Sequence, residues 1–190
     1  MRWSWTKSDS RSGFTLVELL LVVVLIGVMA AIAVPRFPIA AMRADAGVRT
    51  LHGALQLAQR LAITRQADVV VLVDTAEGRL RVFEDYNRNG DIDGNERARA
   101  FPLDEGAHFV PPPGGGVFGA SAQAMAGTNL AEREGLPSVV FRRNGAASSD
   151  LELYLRAAGG RETAWRAVLV APSTGRAEAW RLVDSSWTRM

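Results

Sequence analysis

One apolar run, Phe14 to Val34, constrains this chain more than any other feature. It has 21 residues and a single ionisable group, Glu18. As a helix it would rise about 32 Å, close to a hydrocarbon core of about 30 Å. Ahead of it stands a polar leader in which Arg2, Lys7 and Arg11 face one acid, Asp9. A secretory signal peptide is one reading, because Ala30-Ala31-Ile32-Ala33 offers small residues for cleavage. The run is long for that, and a glutamate in the apolar region is atypical. A simple signal anchor is a second reading, which hydropathy alone allows.

Glu18 favours a third. A carboxylate near the centre of a membrane helix costs about 2.5–3.5 kcal/mol, and less near an end. A charge kept there usually has a partner. A cut after Gly13 would give Phe14 a free amino group about one helical turn from Glu18. The carboxylate would then neutralise the amine of a neighbouring subunit. Such a pair favours side-by-side helix assembly in a fixed axial register.

Gly13-Phe14-Thr15-Leu16-Val17-Glu18-Leu19-Leu20 resembles the class III leader of type IV pilins and type II secretion pseudopilins. The resemblance implies cleavage between Gly13 and Phe14 by a prepilin peptidase, N-methylation of Phe14 and a role for Glu18 in filament assembly. Pro35 matches a proline common to these helices. The basic leader fits retention of the N-terminus in the cytoplasm.

Charge bears on partners. The formal net charge is +2 and the isoelectric point is near 9.6. Residues 1–13 carry that whole excess, and the remaining chain holds 19 basic and 19 acidic residues. Without the leader, no general attraction to nucleic acid is expected. The chain has no cysteine, which excludes disulfides and thiolate chemistry.

After Pro35 and Pro38, which disturb a helix, an amphipathic pattern predicts a helix over about 40–66. Val48, Leu51, Leu55, Ala58 and Ala62 form its stripe, with Leu61 beside it. From Ala67 the period changes. Asp68–Val73 reads as a buried strand and residues 78–83 as its partner, joined through residues 74–78. Further strands are expected at Ser138–Phe141, Leu151–Leu155, Ala164–Val170 and Glu178–Val183, with a turn at Pro172–Gly175. Pro111–Gly127 is rich in Pro, Gly and Ala and reads as a surface loop within a long loop near 103–135. The expected fold is α+β: a long N-terminal helix, transmembrane over 14–34 and then amphipathic to 66, packed on a C-terminal antiparallel β domain over 67–190. The stretch 55–65, the strand Val69–Val73 and the ending 167–176 resemble the GspH/FimT group of minor pseudopilins.

Residues 85–96 fit the twelve-residue calcium-loop pattern. Asp85, Asn87 and Asn89 supply side-chain oxygens, and Gly90 permits the sharp turn. Asp91 would offer its carbonyl, Asp93 would act through water, and Glu96 would close the shell. Ile92 supplies the inward apolar anchor. Oxygen donors without imidazole or thiolate favour Ca²⁺. The flanks, Arg79–Phe83 and Arg97–Phe101, read as strands, so an EF-hand-like loop would join two strands. An Asn/Asp/Gly-rich turn without metal is the competing reading. No organic cofactor is expected.

An enzyme finds little support. His52 and His108 are the two histidines, and no nucleophile-elbow or phosphate-loop motif occurs. Glu132 and Glu134 flank Arg133 in what reads as a solvated turn. Trp165, Trp180 and Trp187 read as sheet-packing residues. The leading expectation is a structural minor pseudopilin of a type II secretion system, anchored in the bacterial inner membrane with its β domain in the periplasm. Its partners would be other pseudopilins, the prepilin peptidase and the inner-membrane assembly platform. The alternative is a minor type IV pilin, including a DNA-uptake variant. DNA-binding members of the group carry Gly-Arg-x-Arg in the last hairpin; here Gly175-Arg176-Ala177-Glu178 ends in an acid. Arg142, Arg143, Arg161, Arg166 and Arg181 are the arginines available for a basic patch.

Overall fold

The computed structural model describes residues 13–33, 38–94, 96–103, 106–117, 123–159 and 162–190. The chain divides into two units, residues 1–37 and residues 38–190.

The first unit holds helix α1, Leu16–Ala33. It is apolar on every side, and the side chains described in it are exposed. At 1.5 Å per residue its 18 residues rise about 27 Å. Among the described residues no helix is long and apolar enough to cross a membrane. Within the expected span of 14–34 the helix starts at Leu16, and residue 34 lies outside the described residues. Pro35 and leader residues 1–12 also lie outside them.

The second unit is a helix on two antiparallel sheets. Helix α2, Ile39–Arg65, starts directly after Pro38, where an unpaired donor is no loss. It ends at Gln66, whose left-handed backbone (φ 54°) stops the helix and whose amide caps Ile63 O at 2.7 Å. Its buried positions are Ala40, Ala44, Gly47, Val48, Leu51, Ala54, Leu55, Ala58 and Ala62. The predicted stripe is therefore the buried face, and most of its members are small.

The first sheet contains β1 (Asp68–Asp74), β2 (Arg79–Asp85), β3 (Ala98–Pro102), β6 (Ala131–Arg133) and β7 (Leu136–Phe141), in the order β3-β2-β1-β7-β6. The second contains β4 (Ala107–Phe109), β8 (Leu151–Gly159), β9 (Glu162–Val170), β10 (Ala177–Val183) and β11 (Ser186–Arg189), in the order β11-β10-β9-β8-β4. The two-residue strand β5, Met125–Ala126, also pairs with β8. Three of these strands, β4, β5 and β6, fall inside the segment 103–135 that the composition marks as loop. Each is two or three residues long, too short to show a period of two.

Alternation explains the layers. Val69, Val71 and Val73 of β1, Leu151, Leu153 and Leu155 of β8, and Val168 and Val170 of β9 share one core with the stripe of α2. The opposite face of the first sheet gathers Val70, Leu72 and Phe83, covered by Ile92 from the β2–β3 connection. The opposite face of the second gathers Tyr154, Ala167 and Leu169, covered by Val117, Trp180 and Trp187. This is why β1 reads as an unbroken apolar run: both of its faces are buried.

Polar contacts fix the helix on the sheets. Arg166 lies on the core-facing row of β9, and its Nε donates to Asp45 Oδ1 of α2 at 2.7 Å. His52 Nε2 stands 3.1 Å from the carbonyl oxygen of Ala177 at the start of β10. Gln59 Nε2 donates to Gly145 O at 2.9 Å and to Thr174 O at 2.6 Å, joining α2 to two separate turns. Gly175 completes this clamp. Its φ is +62°, and a Cβ there would collide with the Gly145 carbonyl oxygen.

Gln59→Ala leaves both turn carbonyls without that donor and is expected to lower stability by about 1–2 kcal/mol. Gly175→Ala should cost more, because the added carbon meets backbone rather than a movable side chain. Urea denaturation of both variants checks the order; a Gly175→Ala variant as stable as wild type would contradict the clamp.

Candidate functional site

Gly13 and Phe14 lie ahead of α1 and are exposed, Phe14 by 81%. Thr15 caps the helix: the Glu18 N–H points at Thr15 Oγ1 (3.2 Å) and at the Thr15 carbonyl oxygen (3.1 Å). Glu18 is thus the third residue of α1, in its first turn. A carboxylate there gains from the positive end of the helix dipole. Thr15-Leu16-Val17-Glu18 has the Thr-x-x-Glu spacing of a capping box. The apolar run around Glu18 masks that signal in the sequence. The cap places Glu18 at the end of the apolar helix, where the penalty for a charge is smallest.

The β2–β3 connection holds the other candidate group. Its flanks are strands, and β2 and β3 pair antiparallel from Arg79↔Pro102 to Phe83↔Ala98. Asp85 ends β2 and is 3% exposed. Its Oδ2 accepts the Gly90 N–H at 2.9 Å, while its Oδ1 is buried with no hydrogen-bond partner among the described residues. Gly90 has φ +82°, and the Arg133 guanidinium lies where a Cβ would stand. Asn87 Oδ1 accepts the Asn89 N–H at 3.0 Å, and Asn89 Oδ1 accepts the Asp91 N–H at 2.9 Å. The amides of Asn87 and Asn89 both donate to Asp93 Oδ2, at 2.6 and 2.9 Å. Glu96 accepts the N–H of Tyr86 at 3.0 Å and of Asp93 at 3.2 Å. The structure therefore brings Asp85, Asn87, Asn89, Asp93 and Glu96 into one bonded loop. Asp91 contributes its N–H. Among the described residues no three carboxylate or imidazole groups are gathered as a ready-made metal cluster.

The basic patch considered for a polyanion is largely dispersed. Arg166 is buried against Asp45. Arg176 and Arg189 both lie near Glu178 Oε1, at 3.6 and 3.1 Å, so the acid at the end of Gly-Arg-Ala-Glu neutralises its own hairpin. Arg142 and Arg143 line an open cleft with Arg88 and with Asp68, which stands 3.9 Å from Arg143. Arg161 lies outside the described residues.

Tyr154 emerges as a residue that the pattern of the sequence does not single out. It is fully buried on the outer face of β8. Its hydroxyl donates to Glu152 and accepts the Val117 N–H at 2.8 Å, which ties the 110–117 segment to the sheet. Trp187 packs on its ring at 5.5 Å between centroids. Burial raises the Tyr154 pKa well above its ordinary 10.0, and the Glu152 hydrogen bond raises it further. Tyr86 is also raised, first by its hydrogen bond to Glu84. Trp165 stacks under Arg156, 5.7 Å from ring centre to guanidinium carbon, and His52 Nε2 lies near Ala177 O and Gln56 Nε2.

An apolar N-terminal helix, followed by a second helix packed on antiparallel sheets, defines a pilin-like protein. A model of the prokaryotic N-terminal methylation motif matches residues 9–34. The model described as type II transport protein GspH matches residues 47–175, about two thirds of the chain. The chain belongs to the GspH family, within the type IV pilin-like superfamily. That match runs from Gly47, where α2 meets Ala107, to Gly175 of the clamp. Among solved structures, the minor pseudopilin EpsH from the type 2 secretion system of Vibrio cholerae is similar at a TM-score of 0.38 and 12% identity. The likeness covers 78% of this chain and 96% of that one. Comparison with curated proteins gives no match.

The Tyr154 environment predicts an alkaline limit to stability. The folded protein holds this proton above pH 10, whereas the unfolded chain releases it near 10.0. The contribution is complete below about pH 10 and declines as pH rises beyond it. Tyr154→Phe lacks the titration, so its stability deficit relative to wild type should narrow by about 1 kcal/mol between about pH 9 and about pH 11. Denaturant titrations at the two pH values check this, and a constant deficit would count against it.

Proposed function

We propose that this GspH-family chain is a minor pseudopilin, a non-enzymatic structural subunit of the periplasmic pseudopilus of a type II secretion system. In this reading prepilin peptidase cuts between Gly13 and Phe14, Phe14 is N-methylated, and the apolar segment anchors the chain in the inner membrane with residues 38–190 in the periplasm. Other pseudopilins and the inner-membrane assembly platform are its partners.

The observation that carries the reading is α1. It exposes apolar side chains all round and carries one carboxylate, Glu18, in its first turn. Such a surface in water is unfavourable and calls for lipid or neighbouring helices around it. Cleavage creates an amine beside that carboxylate, and the pairing of one subunit's Glu18 with a neighbour's amine orders the helices. The ion pairs around Glu178 and Arg166 weigh against the alternative of a DNA-uptake pilin.

Glu18→Ala, expressed in a strain lacking the wild-type gene, should still be cut, giving a chain that begins at methylated Phe14 by mass spectrometry. Its incorporation into the pseudopilus should fall on the order of tenfold or more, because the neighbour's amine stays buried and unpaired. Unchanged assembly and secretion would reject the pairing. Retention of duplex DNA by the full chain at physiological salt would favour the pilus reading instead.

A further inference from the structure

We infer that Asp85, Asn87, Asn89, Asp93 and Glu96 form a Ca²⁺ site, a set of oxygen donors carried between two strands. The inference is independent of the secretion reading and rests on the loop itself. Its decisive observation is Asp85. This carboxylate is 3% exposed, and its Oδ1 has no hydrogen-bond partner among the described residues. A buried acceptor left in that state is costly, and native structures give it a partner. The sibling oxygen is held by the Gly90 N–H across the turn, so the carboxylate faces the loop interior. A cation in that interior supplies the missing partner.

The other oxygen donors occupy the loop positions that the pattern requires. Asn87 and Asn89 both direct amide groups at Asp93 Oδ2. The two N–H donors stand as the positive partner of Asp93. Asn87 Oδ1 and Asn89 Oδ1 each accept one backbone N–H and keep a second lone pair. A divalent cation beside Asp93 takes these lone pairs and replaces the amide donors as the positive partner of Asp93. Glu96 is already folded back onto the backbone of Tyr86 and Asp93, which brings the last acid of the loop to its second and ninth positions. Ile92 anchors the loop in the apolar cluster of Val70, Leu72 and Phe83, so closure around an ion need not drag the sheet with it.

Hard oxygen donors in a flexible loop suit Ca²⁺, whereas Mg²⁺ demands a tighter octahedron. The Arg133 guanidinium over Gly90 adds positive charge beside the site and weakens it. An affinity in the range of extracellular calcium modules, on the order of 10⁻⁴–10⁻³ M, follows from that opposition. The ion braces the β2–β3 connection over the outer face of the first sheet.

The test uses the full chain in detergent micelles, stripped with EDTA and titrated with CaCl₂ to about 10 mM, an excess over the expected range. Calorimetry should give one Ca²⁺ per chain, and the melting temperature should rise with calcium. Glu96→Gln keeps an acceptor for the Tyr86 N–H, so it should retain the wild-type circular dichroism while binding at least about tenfold more weakly. Asp85→Asn should lose binding as well; if it unfolds, Glu96→Gln decides alone. No heat and no melting shift in wild type would overturn the site. So would equal binding by wild type and Glu96→Gln, or an equal response to MgCl₂, which would mark charge screening.

Discussion

The buried stripe of α2 is the constraint on which the rest of the β domain depends. The two sheets share no strand ladder among the described residues, so the helix and the core beneath it hold them together. Ala40, Ala44, Gly47, Ala54, Ala58 and Ala62 let both sheets come close, and Leu51 and Leu55 fill the space between. Gly47 shows how tight this is: a Cβ there would stand 3.3 Å from Ala107 Cβ. Larger residues along the stripe would push the sheets apart, and overpacking is itself costly. Three polar links then set where the helix sits. Asp45, His52 and Gln59 each reach a sheet or turn residue more than 80 positions away in sequence.

Each sheet keeps a second apolar face, and each is covered by a connecting segment rather than by a helix. Ile92 covers Val70, Leu72 and Phe83; Val117, with Trp180 and Trp187, covers Tyr154 and its neighbours. The segments differ in how they are held down. The 110–117 segment is tied by the Tyr154 hydroxyl to the Val117 N–H. The loop that begins at Asp85 is held by its own acids and amides, and Asp85 Oδ1 stays buried with no hydrogen-bond partner among the described residues. The covering role explains why an Asn/Asp-rich stretch carries an isoleucine at its eighth position.

The elements with strong periodicity were legible in the sequence, and the reasons are physical. The Val48–Ala62 stripe repeats at three and four residues because one helix face is buried. Val69–Val73 reads as a strand because it is β-branched and bounded by turn residues. The short strands β4, β5 and β6 were not legible, since pairing to long neighbours rather than their own pattern defines them. Arg166 reads as available for a surface patch because no local signal shows that Asp45, 121 residues away, shares its space. The strands flanking the calcium-type loop were legible, and so was the acid at Glu178. What Glu178 does with Arg176 and Arg189 needed β11 beside β10.

The N-terminal helix follows a different logic. Residues 38–190 contain a complete core, so α1 is not needed to fill a gap in it. In the proposed assembly its apolar side chains are covered by lipid or by neighbouring helices. Thr15 caps the helix start, and Glu18 stands in its first turn, at the positive end of the dipole. There it can pair with a cation at the same depth. In the proposed assembly that cation is the amine made by cutting at Gly13. Because amine and acid lie about one turn apart along each chain, pairing between neighbours offsets the helices instead of leaving them level. A repeated offset of that kind builds a staircase, which is what an extended filament requires and a closed ring does not.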